Sequence, residues 1–101
     1  LLRTMERNSN QESLGEVIRK LIDSYGLQNK LSEVQLVKAW EEVVGASIAR
    51  HTTEIYVKNG TLFLRLDSSV LREELSYGKD RILELVNGFA GRTWVTEVVI
   101  R

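Results

Sequence analysis

The dipeptide Asn59-Gly60 lies between two stretches in which apolar and polar side chains alternate. Such alternation is typical of a β-strand with one buried face. A two-residue type I′ turn requires a positive φ at both central positions, and Asn followed by Gly adopts these angles at low cost. The dipeptide therefore predicts an antiparallel hairpin, and because the loop length is fixed, it also predicts which residues pair across the strands.

The predicted register separates the hairpin into an aliphatic face and an aromatic face. The aliphatic face suits packing against helices, which leaves the aromatic face outside that core. The predicted pairs are Val57 with Leu62 and Ile55 with Leu64 on the buried face, and Tyr56 with Phe63 and Glu54 with Arg65 on the outer face. We expect the outer face either to bind a partner or nucleic acid, or to be covered by a helix.

Two helices are predicted before the hairpin. Ser13-Leu14-Gly15-Glu16 and Ser32-Glu33-Val34-Gln35 both fit the capping box, in which the first and last side chains satisfy each other's backbone donors. The first helix should stop at Gly26, and helix is expected on both sides of Gly45. Trp40 falls on an apolar stripe and is predicted to be a core residue. The apolar positions are Leu14, Val17, Ile18, Leu21, Ile22 and Tyr25 in the first helix, and Leu36, Val37, Trp40, Val43, Val44 and Ile48 in the second.

A third helix is predicted after the hairpin. Asp67 or Ser68 should cap its N-terminus. Gly78 falls on its apolar stripe, which favours a close approach of the helix backbone to the sheet. Gly88 and Gly91 should close the helix, because glycine adopts the left-handed conformation of a helix C-terminus.

A β-rich segment from Trp94 to Ile100 predicts a last strand. The order of elements is then α-α-β-β-α-β, which indicates an α+β fold with a three-stranded sheet and helices packed on one face. The order of the strands within the sheet stays open, because the last strand could lie beside either strand of the hairpin. Residues 1–12 show almost no apolar periodicity and are expected to form a flexible N-terminal tail.

Composition argues against an active site. The chain has no Cys and a single His, and its fourteen Lys and Arg balance fourteen Asp and Glu. His51 has no metal-ligand partners at a recognisable spacing, and no Gly-rich phosphate loop precedes a helix. We therefore expect a protein that is not an enzyme and uses no metal or cofactor. The lack of Cys and of an apolar run of about 18 residues favours a cytoplasmic protein without a membrane span.

The outer face of the hairpin is the best candidate for a binding surface. Tyr56 and Phe63 offer aromatic rings on which bases or a partner could stack, and Lys58 and Arg65 lie close enough to contact phosphates. Arg92 and Trp94 are the further candidates for this nucleic-acid or partner surface. Because the net charge is zero, any affinity for single strands should be weak and salt-sensitive.

Four segments resemble, in order and spacing, the bacterial DciA family. They are Trp40-Glu41-Glu42-Val43-Val44-Gly45, Ala49-Arg50-His51-Thr52, Asn59-Gly60-Thr61-Leu62 and Ser68-Ser69-Val70-Leu71-Arg72-Glu73-Glu74-Leu75. The resemblance covers residues 13–101, and the short form looks like versions found in Bacteroidetes. It implies a single small KH-like domain that associates with the DnaB-type replicative helicase and helps to place it on single-stranded DNA, without an ATPase of its own.

Two other functions remain open at this point. One is a stand-alone KH-like protein that binds RNA or single-stranded nucleic acid without a protein partner. The other is a structural subunit or homodimer that pairs through the edge strand at Thr93–Arg101.

Overall fold

The structure is a computed structural model that describes residues 13–24 and 26–101. Across these residues it contains six helices and three strands. They are α1 (Leu14–Ser24), α2 (Gln28–Lys38), α3 (Trp40–Val44), α4 (Ala46–Arg50), β1 (Thr52–Lys58), β2 (Thr61–Leu66), α5 (Ser69–Ser76), α6 (Lys79–Ala90) and β3 (Glu97–Ile100). The predicted α+β order is confirmed, with the second and third predicted helices divided into shorter ones. The described residues fall into two compact units, one that ends at Lys30 and one that runs from Leu31 to Arg101. The predicted tail lies outside the described residues.

The hairpin has the predicted turn and register. Asn59 has a φ of 51° and Gly60 a φ of 76°, so both turn residues occupy the positive region that a type I′ turn requires. Each of the four predicted cross-strand pairs is present. The ladder also has an irregularity between Thr52 and Glu54 that the alternation of the sequence did not indicate. A bulge at this position increases the local twist at the start of β1.

The third strand resolves the strand order that the sequence left open. β3 pairs with β2 in parallel, so the sheet order is β1-β2-β3 with β2 in the centre. The prediction that this strand begins at Trp94 was wrong, since β3 begins only at Glu97. The residues before it form a loop whose last amide, at Thr96, donates to the carbonyl of Gly60 at 2.8 Å. Trp94 and Val95 of this loop are buried in the core, and burial requires apolar side chains. Their apolar character resembles that of a strand, which is why the sequence predicted the wrong strand boundary.

The hydrophobic core of Leu31–Arg101 lies on one side of the sheet. Leu62 and Leu64 of β2 are almost fully buried there, and the half-buried Ile55 and Val57 of β1 pack against the same cluster. This confirms that the aliphatic face of the hairpin packs against helices. The buried cluster consists of Leu36, Trp40, Leu62, Leu64, Ile82, Val86, Trp94, Val95 and Val98. Trp40 is a core residue as predicted, and its indole Nε1 donates to Thr52 Oγ1 at 3.0 Å.

Helix α1 begins and ends as its sequence predicts. The amide of Ser13 donates to Glu16 Oε1 at 2.9 Å and the amide of Glu16 donates to Ser13 Oγ at 3.2 Å, which is the reciprocal pair of a capping box. Gly26 has a φ of 66°, and the amide of Leu27 donates to the carbonyl of Ile22 at 2.9 Å. None of the residues of α1 is buried. Tyr25, predicted for the apolar face, lies outside the described residues.

The second predicted capping box was wrong. Helix α2 begins at Gln28, so Ser32 lies inside the helix and is buried. Its hydroxyl accepts a hydrogen bond from Arg92 Nη1 at 3.0 Å, and Glu33 Oε2 accepts one from the amide of Val57 at 2.8 Å. Both side chains thus contact parts of the chain outside their own helix. Glu33 satisfies a donor on the free edge of β1, where unpaired backbone groups favour association with other strands.

The glycines of the helical segments have different roles. Gly45 adopts a φ of 96° between α3 and α4, so helix occurs on both sides of it as expected. Gly78 has no close contact with the sheet, because a Cβ added there would meet only the carbonyl of Leu75, at 3.9 Å. It marks instead the break between α5 and α6. Gly91 closes α6 with a φ of 75°, whereas Gly88 lies within the helix and does not end it.

Candidate partner and nucleic-acid surface

The face of the sheet opposite the core is formed by alternate residues of the three strands, and we call it the outer face. Its residues are Glu54, Tyr56, Lys58, Thr61, Phe63, Arg65, Glu97, Val99 and Arg101. Arg101 continues β3 by one residue, because its amide donates to the carbonyl of Leu64 and its carbonyl accepts from the amide of Leu66, both at 2.9 Å. No outer-face residue belongs to the buried core. This face therefore holds the hairpin residues that the sequence proposed as a binding surface.

The centre of the outer face is aromatic. Tyr56 and Phe63 stack with ring centroids 4.8 Å apart and ring planes inclined by 12°. Val99 lies beside Phe63 in the register of β2 and β3, and all three residues are half-buried. The guanidinium carbon of Arg101 lies 5.3 Å from the centroid of the Phe63 ring, within the range of a cation–π contact. Stacked rings beside a guanidinium suit bases of a single strand or apolar side chains of a protein.

Charges surround this aromatic centre. Lys58 is exposed at the turn end of the hairpin, and Arg65 lies at the other end, with its Nε 3.5 Å from Glu54 Oε1. Glu97 Oε1 accepts a hydrogen bond from Thr61 Oγ1 at 3.4 Å. Three cationic side chains thus share the outer face with two carboxylates. Such a face attracts phosphates weakly, and the Arg65–Glu54 pair has to open before Arg65 contacts a phosphate.

Arg92 and Trp94 do not belong to the outer face. Trp94 is only 8% exposed and forms part of the core. Arg92 is half-buried, donates to Ser32 Oγ at 3.0 Å, and has its guanidinium carbon 5.6 Å from the centroid of the Trp94 ring. The structure therefore brings four of the six candidates together on the outer face, namely Tyr56, Lys58, Phe63 and Arg65. Arg92 and Trp94 contact each other instead, and Arg92 connects the loop before β3 to helix α2.

Sequence reasoning missed the residue that holds this loop. Asn87, in the last turn of α6, accepts hydrogen bonds at Oδ1 from the amides of Trp94 and Val95, both at 2.9 Å. Its Nδ2 donates to the carbonyl of Val95, also at 2.9 Å. An Asn about one turn before the helix-terminating Gly91 and a short apolar loop was the available signal, because an amide side chain can satisfy both donors and acceptors of a buried backbone.

The described residues contain no group of three or more His, Cys, Asp or Glu that could hold a metal ion. His51 instead lies with its Nδ1 2.8 Å from Asp67 Oδ1, so that it connects the residue before β1 to the loop after β2. In the described part of the chain, no helix has the length and apolar character needed to cross a membrane.

Comparisons with known proteins agree with the resemblance found in the sequence. The family model for "Dna[CI] antecedent, DciA" matches residues 13–100. A "UPF0232 protein" of Corynebacterium glutamicum (strain R) is 34% identical over 89 residues, which cover 88% of this chain, and one of Mycobacterium ulcerans (strain Agy99) is 27% identical over the same length. This chain spans 50% and 48% of those two proteins. Both come from actinobacteria, so the expected Bacteroidetes-type form is not confirmed.

Proposed function

Because this chain belongs to the DciA family, we propose that it is a cytoplasmic, non-enzymatic adaptor that binds a replicative DNA helicase of the DnaB type. In this role it assists the loading of the helicase onto single-stranded DNA. Its 13–101 segment acts as the KH-like binding domain. The protein makes and breaks no covalent bond in this role, because it acts by bringing a helicase and a strand together.

The observation that carries the proposal is the aromatic centre of the outer face. The core lies on the other side of the sheet, and Tyr56 and Phe63 are only half-buried. The two rings therefore keep exposed surface that a partner can contact. Aromatic residues are enriched where proteins bind one another, because a rigid ring buries a large area at a small entropic cost. We propose that this aromatic centre contacts the helicase, with Lys58 and Arg65 on its margin.

A second function is favoured by one feature of the same face. Arg101 lies over Phe63 while Lys58 is exposed nearby, and a ring with adjacent cations can stack a base and neutralise its phosphate. In this alternative, the protein binds RNA or single-stranded DNA by itself. The two functions differ in whether binding needs a protein partner.

The test is a set of separate titrations by fluorescence anisotropy at about 150 mM salt, where weak attraction to a polyanion is screened. The purified protein is titrated against the replicative helicase of its own organism, labelled single-stranded DNA and labelled single-stranded RNA. We expect saturable binding to the helicase and weak binding to both oligonucleotides. Tight oligonucleotide binding without helicase binding would contradict the adaptor and favour the alternative.

Variants of the outer face identify the contact. Tyr56→Ala should weaken helicase binding by about tenfold if the ring is part of the interface. Lys58→Gln should lessen the dependence of oligonucleotide affinity on salt, since each lost phosphate contact removes about 0.7 from the slope of the logarithmic plot for single strands. Lys79→Gln is the matched control, because this lysine is also exposed but lies at the start of α6. Equal effects of both lysine variants would rule out the outer face as the nucleic-acid site.

A further inference from the structure

A shallow depression lies on helix α5 and the residue that follows it. It has a volume of about 220 Å³ and is lined by Val70, Glu73, Glu74 and Tyr77. We call these four residues the α5 groove. They are spaced i, i+3, i+4 and i+7, so they lie along a single face of the helix. The groove is too small for a drug-sized ligand but has room for a single side chain.

The apolar members of the α5 groove are unusually exposed. Tyr77 is 84% exposed and Val70 is 65% exposed. The inward side of the same helix is formed by the half-buried Leu75, which packs against the core. An amphipathic helix ordinarily turns its polar side chains outward, whereas this helix exposes a large aromatic and a branched aliphatic residue that are not part of the core cluster. Exposed apolar side chains with a polar rim are typical of protein interaction sites.

The polar members of the groove are both acidic. No ion pair involves the carboxylate of Glu73 or Glu74 among the described residues. The cation of the same helix is engaged elsewhere, because Arg72 Nη1 donates to the carbonyl of Leu66 at 2.6 Å. The groove thus combines two adjacent carboxylates with two exposed apolar side chains. It repels phosphates, and it complements a segment that carries positive charge.

We propose that the α5 groove is a docking site for a basic, amphipathic segment of a partner protein. An aliphatic side chain of that segment enters the depression between Val70 and Tyr77, and flanking Lys or Arg side chains pair with Glu73 and Glu74. The Tyr77 ring supplies most of the buried area, and the carboxylates fix orientation and speed association. This inference goes beyond the proposed function, because it concerns a different surface and excludes nucleic acid as the occupant.

The test uses the whole protein and three short fluorescent peptides. The probe is an amphipathic helical peptide of leucine and lysine. One reference peptide replaces its lysines by glutamate, and the other replaces its leucines by serine. We expect the leucine–lysine peptide to bind at about 150 mM salt and both references to bind at least about tenfold more weakly. Equal binding of the lysine–serine peptide would show simple charge attraction and overturn the proposal, as would failure of the leucine–lysine peptide to bind.

Variants locate the site on the protein. Tyr77→Ser and the double variant Glu73→Gln with Glu74→Gln should each weaken peptide binding by about tenfold. The matched control is the double variant Glu41→Gln with Glu42→Gln. These two adjacent carboxylates on α3 are also exposed, so the variant removes the same charge at a different place. All these side chains are exposed, so circular dichroism and thermal melting should report an unchanged fold. An equal loss of affinity in the control would overturn the assignment to the α5 groove.

Discussion

Replacement of Asn87 by Ala should strongly destabilise the unit that holds the sheet. The change removes all three hydrogen bonds that the side chain makes to the backbone of the loop before β3. Val95 is fully buried and Trp94 is 8% exposed, so their amides have little access to water as a replacement acceptor. A buried polar group left without a partner costs about 1–3 kcal/mol, and partial relaxation of the loop brings the expected total to about 2–4 kcal/mol. For a chain of this size, that corresponds to a fall in Tm of about 10–20 °C.

Urea unfolding followed by circular dichroism and by tryptophan fluorescence measures this change. Glu84→Ala serves as the control on the same helix, because Glu84 is largely exposed and lies 3.8 Å from Arg81 in a surface ion pair that contributes little. Asn87→Asp provides a second comparison, since it keeps the acceptor for the two amides but loses the donor to the carbonyl of Val95. We expect it to fall between the wild type and Asn87→Ala. If Asn87→Ala lowers the free energy of unfolding by less than about 1 kcal/mol, the Asn87 side chain does not hold the loop before β3.

Three further outcomes follow from local geometry. Gly60→Ala should lower the free energy of unfolding in urea by about 1 kcal/mol, because a φ of 76° is strained for a residue with a Cβ. An unchanged free energy of unfolding would contradict this expectation. Glu33→Ala should speed amide hydrogen exchange at Val57, since the side chain accepts that hydrogen bond at 2.8 Å, and unaltered exchange would show that the contact does not persist. Hydrogen bonds from the backbone amide and then the side chain of Ser13 lower the pKa of Glu16. The contribution of this cap to the free energy of unfolding is therefore present above the unfolded pKa of Glu16, and it is lost as the pH falls through the lowered folded value. An NMR titration of the carboxyl group should show Ser13→Ala raising this pKa only in part, because the variant keeps the backbone amide that donates to Glu16 Oε1. A complete return to the ordinary range would contradict the amide as the main cause.

The hairpin could be predicted in detail because its determinants are local. A two-residue turn that requires positive φ values at Asn59 and Gly60 fixes the register, and the period of two then assigns every side chain to a face. The stacked pair of Tyr56 and Phe63 follows directly from that register. The same reasoning applies to Ser13 and its partner three residues later, whose reciprocal hydrogen bonds depend only on the first turn of the helix.

Two of the errors depend on contacts that the local pattern of the sequence does not show. Ser32 fits a capping box, but its hydroxyl bonds to Arg92, 60 residues away, and no local pattern indicates this. Trp94 and Val95 have the composition of a strand, yet Asn87 holds their backbone and leaves them outside the sheet. The structure accordingly places the hairpin candidates together on the outer face, whereas Arg92 and Trp94 lie elsewhere because contacts with other helices determine their burial. The binding role of these residues stays a prediction.

The parallel pairing of β2 with β3 also has a kinetic consequence. The hairpin forms from neighbouring residues, whereas Thr61 and its partner Glu97 are 36 residues apart and meet only after both α5 and α6 have been positioned. Contacts of large sequence separation pay their loop-closure entropy before they contribute energy, so they tend to form after the transition state. Shortening Val98 to Ala should therefore accelerate unfolding and leave the refolding rate nearly unchanged, while Gly60→Ala should slow refolding. Stopped-flow chevron plots distinguish the two effects, and a slowed refolding of the Val98 variant would place β3 in the folding nucleus.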